Sequence, residues 1–197
     1  MEWRLLKQAG AWPLGGTPNR MKSQSEPLDR HWLPNTSPYS KMKILVVDDE
    51  PANAALLEAM LADGGYTRVK PVTDSRLALE TCVQFDPDLV LLDLMMPHVD
   101  GFTVLESIRA AAAETFLPVI VLTASSTDAT KIRALRAGAT DFLLKPFDQL
   151  ELLLRMNNLL ETRRLHLQLD TQVAAYADAV RERTSELREA QTLLQKS

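Results

Sequence analysis

Three carboxylates and one ammonium stand at the ends of apolar runs in this chain. Asp48 and Asp49 follow Val46-Val47, Asp93 follows Leu91-Leu92, and Lys145 follows Leu143-Leu144. Thr123 closes a further run, Val119-Ile120-Val121-Leu122. In an open parallel α/β sheet, ligands bind beyond the carboxyl ends of the strands. Clustered acids with one ammonium at that edge suit a hard divalent cation and a phosphoryl group. Asp93 is then the candidate phosphoryl acceptor, because a carboxylate nucleophile needs a cation to offset charge on the phosphoryl oxygens. Asp48 and Asp49 are the source of that cation site, and bound Mg2+ would relieve the repulsion among the three acids. An isolated Asp-Asp pair or Lys-Pro is commonly only a turn; their recurrence at successive strand ends argues for a site.

Positioning these residues requires strands and helices in alternation. Lys43–Val47 reads as a first strand, followed by a helix from Pro51, which suits a first turn, to the breaker Gly64-Gly65. Arg68–Val72 is a short second strand, and Asp74 or Ser75 caps a helix running to about Gln84. Leu89–Leu92 is the third strand, and Gly101 opens a third helix. Val119–Leu122, a helix over Asp128–Ala137 stopped by Gly138, and Asp141–Leu144 complete the alternation. Asp148 caps a fifth helix. Such alternation predicts a parallel sheet with right-handed crossovers. The fold class expected is α/β: a flavodoxin-like five-stranded parallel sheet in the order 2-1-3-4-5, with helices on both faces.

These motifs, in this order, resemble the receiver domain of bacterial two-component response regulators over roughly residues 42–160. The resemblance implies a 4-aspartylphosphate on Asp93. It implies direct Mg2+ ligation by Asp49, Asp93 and the backbone carbonyl of Met95, with Asp48 acting through water. Lys145 would pair with Asp93 before phosphorylation and with the phosphoryl oxygens afterwards, and Lys145-Pro146 would be a cis bond. Thr123 would move toward the phosphoryl group, and Phe142, in the position of the switch aromatic, would reorient into the space behind it. Many relatives carry Tyr there, so an output contact needing the hydroxyl is absent here. Met95 departs from receivers with a polar side chain at that position; a thioether cannot orient an attacking water, so a long-lived phosphoryl-Asp93 is expected. The implied partner is a sensor histidine kinase or a histidine phosphotransfer protein.

The flanks differ from this core. Residues 1–41 are rich in Pro, Ser, Asn and Trp without periodicity, and read as a disordered leader. Alternatives are an interaction motif using Trp3, Trp12 or Trp32, and a translation start at Met42. Residues 161–197 continue the fifth helix as a connector. Leu159, Leu169, Val173, Tyr176, Val180, Leu187, Ala190 and Leu194 fall on heptad steps, interrupted by Thr162, His166 and Arg183. This long C-terminal α-helix predicts a homodimer through a coiled coil. It is similar to connectors preceding HD-type phosphodiesterase and other effector domains, with an effector beyond Ser197 left open.

Composition narrows the classes. A net charge of −4, with alternating signs along the last helix, argues against direct nucleic-acid binding. Cys82 is the one cysteine, which excludes an internal disulfide, and its helical surroundings suggest a buried hydrophobe. No apolar run nears the roughly 20 residues that span a bilayer, and a cytoplasmic protein without membrane contact is expected. The expectation is a signalling module and not a turnover enzyme. A phosphate-relay intermediate is its near variant. A metal-dependent phosphatase with an aspartyl nucleophile would want an acid where Met95 stands. A nucleotide-binding flavodoxin-like domain would want a Gly-rich loop where Asp48-Asp49-Glu50 stands.

Overall fold

A computed structural model describes residues 37–112, 115–125 and 127–195. Strands β1 (Lys43–Val47), β2 (Arg68–Val72), β3 (Leu89–Asp93), β4 (Val119–Thr123) and β5 (Asp141–Leu144) form one sheet in the order β2-β1-β3-β4-β5. Every neighbouring pair is parallel, so each strand presents its carboxyl end at the same edge. The connections are α1 (Pro51–Asp63), a 3₁₀ turn (Ser75–Leu77) leading into α2 (Ala78–Phe85), α3 (Gly101–Ala111) and α4 (Asp128–Arg136). The fifth helix, α5, runs from Gln149 to Gln195.

Alternate strand residues serve opposite faces of the sheet. Leu45, Val47, Val90, Leu92, Val119 and Val121 pack with Cys82 of α2, Leu105 and Ile108 of α3 and Ala134 of α4. Ile44, Val46, Leu89, Leu91, Ile120 and Leu122 pack with Leu57 and Leu61 of α1 and Leu152, Met156 and Leu160 of α5. Burial on both faces explains why β1, β3 and β4 lack polar alternation. Each such side chain contributes about 1.5–3 kcal/mol, which is what holds the carboxyl edge in place. Local signals begin and end the helices as their chemistry requires. Pro51 opens α1, the Asp74 carboxylate accepts the Arg76 amide, the Asp100 carboxylate accepts the Phe102 amide, and Asp148 accepts the Glu151 amide. Gly138 ends α4 with φ +99°, a conformation that favours glycine.

Packing extends beyond residues 42–160 at both ends. Ser37 is buried and donates to Asn157 of α5, while the Tyr39 hydroxyl donates to Glu161 at 2.9 Å. On α5, buried Arg163 donates to the Phe116 carbonyl at 2.8 Å, and His166 stacks on the Phe116 ring at 4.5 Å. Leu159 also packs on the receiver-side core. The expected heptad register therefore touches the sheet domain through Leu159 and His166, and it is exposed from His166 onward. Residues 1–36, with Trp3, Trp12 and Trp32, lie outside the described residues, as do the side chains of Ala190 and Leu194.

Candidate functional site

The strand order puts β1 beside β3, so the turn after Val47 brings Asp48 and Asp49 to the end of β3, where Asp93 stands. One oxygen from each of these three carboxylates lies within 4.8 Å of the others, a spacing able to hold a metal ion. Lys145 arrives from beyond β5, two strands away from β3. Crossing β4 means spanning roughly 10 Å between backbones, which takes a long side chain. Its ammonium reaches Asp48 Oδ2 at 2.8 Å and Asp93 Oδ2 at 3.1 Å. The Lys145 amide also donates to the Thr123 carbonyl at 2.8 Å, tying the end of β5 to the end of β4.

Asp48 is fully buried, and Asp93 and Thr123 are nearly so. A buried carboxylate is tolerated only when its lone pairs are occupied. Asp48 Oδ1 accepts the Glu50 amide and the Asn53 side-chain amide, both at 3.1 Å, and Oδ2 takes Lys145. Asp93 Oδ1 accepts the Met95 amide at 3.3 Å. Burial pulls the Lys145 pKa down, but the hydrogen bond it donates to Asp48 and the charges of Asp93 and Asp48 outweigh it, and the net shift is upward. Lys145 is therefore a fixed cation at neutral pH. Three carboxylates against one ammonium leave a formal surplus of two negative charges, which a divalent cation balances. The donor set, all hard oxygen, fits Mg2+.

The remaining expected residues fall at the same edge. Thr123 ends β4, and its hydroxyl accepts the Ser125 amide at 3.1 Å. Ala124 beyond it is exposed, leaving the approach open. Met95 is 73% exposed, with its side chain toward solvent. Phe142 is half-buried, packed against the α2–α4 face of the core, with the Lys131 ammonium 5.3 Å from its ring centroid. The Lys145–Pro146 bond is cis. Asp100 is a helix cap, Asp141 pairs with Arg155 at 2.8 Å, and His98 is exposed at φ +69°. Cys82 is buried, and burial pushes its thiol up to about 11.

Residues 44–157 match the response regulator receiver domain family, more than half of the sequence. The chain belongs to that family. The receiver is 42% identical over 118 residues to the DNA-binding dual master transcriptional regulator RpaA of Synechocystis, covering 60% of this chain and 48% of RpaA. It is 41% identical over 117 residues to response regulator PleD of Caulobacter vibrioides, covering 59% of this chain and 26% of PleD. The Vibrio cholerae chemotaxis protein CheY4 superposes with a TM-score of 0.56 at 30% identity, covering 60% of this chain and 98% of CheY4. The chain thus spans less than half the length of these two curated regulators. No helix among the described residues is long and apolar enough to cross a membrane.

Three supporting residues were not legible as such in the sequence. Asn53 reads as an ordinary helix residue, yet it binds Asp48. Ser75, buried, donates to the Pro97 carbonyl at 3.0 Å and accepts the Val99 amide at 3.2 Å, holding the loop that follows Asp93. Gly101 lies so close to the strand end that a Cβ there would collide with the Asp93 carbonyl oxygen. The pair Asp100-Gly101 ahead of an apolar helix was the available signal, and it read only as a helix start.

Proposed function

We propose that this receiver takes a phosphoryl group onto Asp93 from a sensor histidine kinase or histidine phosphotransfer protein, with Mg2+ as cofactor. The observation that carries the reading is one ammonium shared by two buried carboxylates, with a third carboxylate within coordination distance. An Asp93 oxygen attacks phosphorus, the P–N bond of a phosphohistidine breaks, and its electron pair stays on the imidazole nitrogen, which takes up a proton. Bound Mg2+ supplies charge compensation for the phosphoryl oxygens; Asp49, Asp93 and the Met95 carbonyl would hold it, with Asp48 acting through water. Lys145 exchanges Asp93 Oδ2 for a phosphoryl oxygen while Asp48 steadies its other side. Thr123 donates its hydroxyl to another. The chemistry is positioning and charge compensation.

A donor protein needs a surface beside the pocket. α1 offers one, because Ala52, Ala55, Leu56 and Ala59 are exposed on the helix that starts two residues after Asp49. The added phosphoryl group brings about −1.5 to −2 charges. Thr123 and Phe142 pass that change to α4, β5 and α5, the output face. Leu169, Val173, Tyr176, Val180 and Leu187 are exposed along distal α5, which supports pairing with a second copy. Phosphorylation alters that pairing.

The deciding experiment is exposure to acetyl phosphate with Mg2+, followed by intact mass. One phosphoryl adduct is expected, absent from Asp93→Asn. Wild-type protein that stays unmodified would remove the reading. Beryllofluoride tests the switch: unchanged solution mass and unchanged distances between paired helices would count against it.

A further inference from the structure

Asp48 is held by more than the lysine. Its Oδ1 takes two donors, and they come from different sources. The Glu50 amide is backbone and is present whatever the sequence. The Asn53 carboxamide is a side chain, set in the first turn of α1, and it reaches the same oxygen at 3.1 Å. Two donors converging on Oδ1 fix the plane of the carboxylate, and the plane turns Oδ2 onto Lys145. The ammonium is shared between the two carboxylates, 2.8 Å from Asp48 and 3.1 Å from Asp93.

We infer that Asn53 is a positioning residue for the cation pocket: by locking the Asp48 carboxylate it keeps Lys145 shared between Asp48 and Asp93, so that the ammonium is not given wholly to Asp93, the expected Mg2+ ligand. This rests on the magnesium pocket described above. Without the carboxamide, Oδ1 keeps a single donor, the carboxylate turns, and Lys145 closes on Asp93, where it competes with the metal. Partners that orient carboxylates around a metal typically matter about 10–100-fold in its affinity. Asn53 acts through Asp48 and touches neither phosphorus nor the nucleophile.

The test is Mg2+ binding by calorimetry on the full chain, with circular dichroism to establish folding. Asn53→Ala is expected to weaken Mg2+ about tenfold. Asn53→Gln, which keeps the donor on a stem one methylene longer, is expected to recover part of that loss. In a Lys145→Met background Asn53→Ala should change the affinity less than twofold, because the competing ammonium is gone; a purely structural role for Asn53 would not show this coupling. A folded Asn53→Ala protein that binds Mg2+ as wild type does, or more tightly, overturns the inference alone. Wild type that binds no Mg2+ overturns it together with the pocket.

Discussion

The two halves of α5 carry apolar residues at similar density and meet opposite fates. Leu152, Leu153, Met156 and Leu160 are buried on the sheet, whereas Leu169, Val173, Tyr176 and Val180 are exposed. The first half completes a core with α1; the second extends past the last receiver contact, at Phe116 and His166. A helical period states which residues share a face, and only a neighbour decides whether that face is covered. The receiver body covers both apolar faces of its sheet within the chain. The apolar residues of the distal helix are left exposed by the described residues of the chain.

That contrast can be broken from the receiver side first. Lys145→Met strips the ammonium from between Asp48 and Asp93, and removing one member of a buried ion pair is strongly destabilising. A loss of about 3 kcal/mol in urea denaturation is expected at neutral pH, with no change in association through α5. Because the folded Lys145 pKa lies above its ordinary 10.5, the pairing stabilises fully below that value and is lost as pH rises through the folded value. The gap between variant and wild type should therefore hold across neutral pH and close only in strong alkali. A gap that shrank on acidifying from pH 8 to 6 would contradict the assignment.

Gly101→Ala comes next. The new methyl meets the Asp93 carbonyl and Leu94 Cα, both backbone, so the start of α3 or the end of β3 must shift. About 2 kcal/mol of destabilisation is expected, with slower phosphoryl uptake than other variants of equal stability. Met95→Asn touches neither core nor backbone, as Met95 is largely exposed. It is expected to speed phosphate loss from Asp93 several-fold without moving the melting temperature; intact mass against time measures it. The smallest effect on the body belongs to the distal helix. Val173→Glu should cost the receiver less than about 0.5 kcal/mol while converting dimer to monomer in sedimentation equilibrium. Equal loss of receiver stability would show that the two regions are one cooperative unit.

Legibility in the sequence followed range of interaction. The five strands, their order and the helix starts were readable, because Asp74, Asp100 and Asp148 bond to amides within three residues of themselves. Asp48, Asp93, Thr123 and Lys145 were readable because a lone polar residue closing a buried strand is conspicuous. Asn53 was not, since an asparagine in a first helical turn signals nothing by itself. The beginning of the bare seam at Leu169 was hidden for the same reason: Leu159 and His166 satisfy the heptad count, yet they pack on the receiver.

Periodicity and strand-end charge, both local properties of the chain, determined the architecture and the identity of the acids and the lysine. Distances between elements were settled only by tertiary packing. Those distances place Lys145 between two carboxylates, bring Asn53 onto Asp48, press Gly101 against β3, and separate covered from bare α5. The physical reason is that side-chain reach spans a few ångströms. Lys145 lies far in sequence from the acids it joins, whereas Asn53 and Gly101 lie near their partners and meet them only at the angle their helices take to the strands.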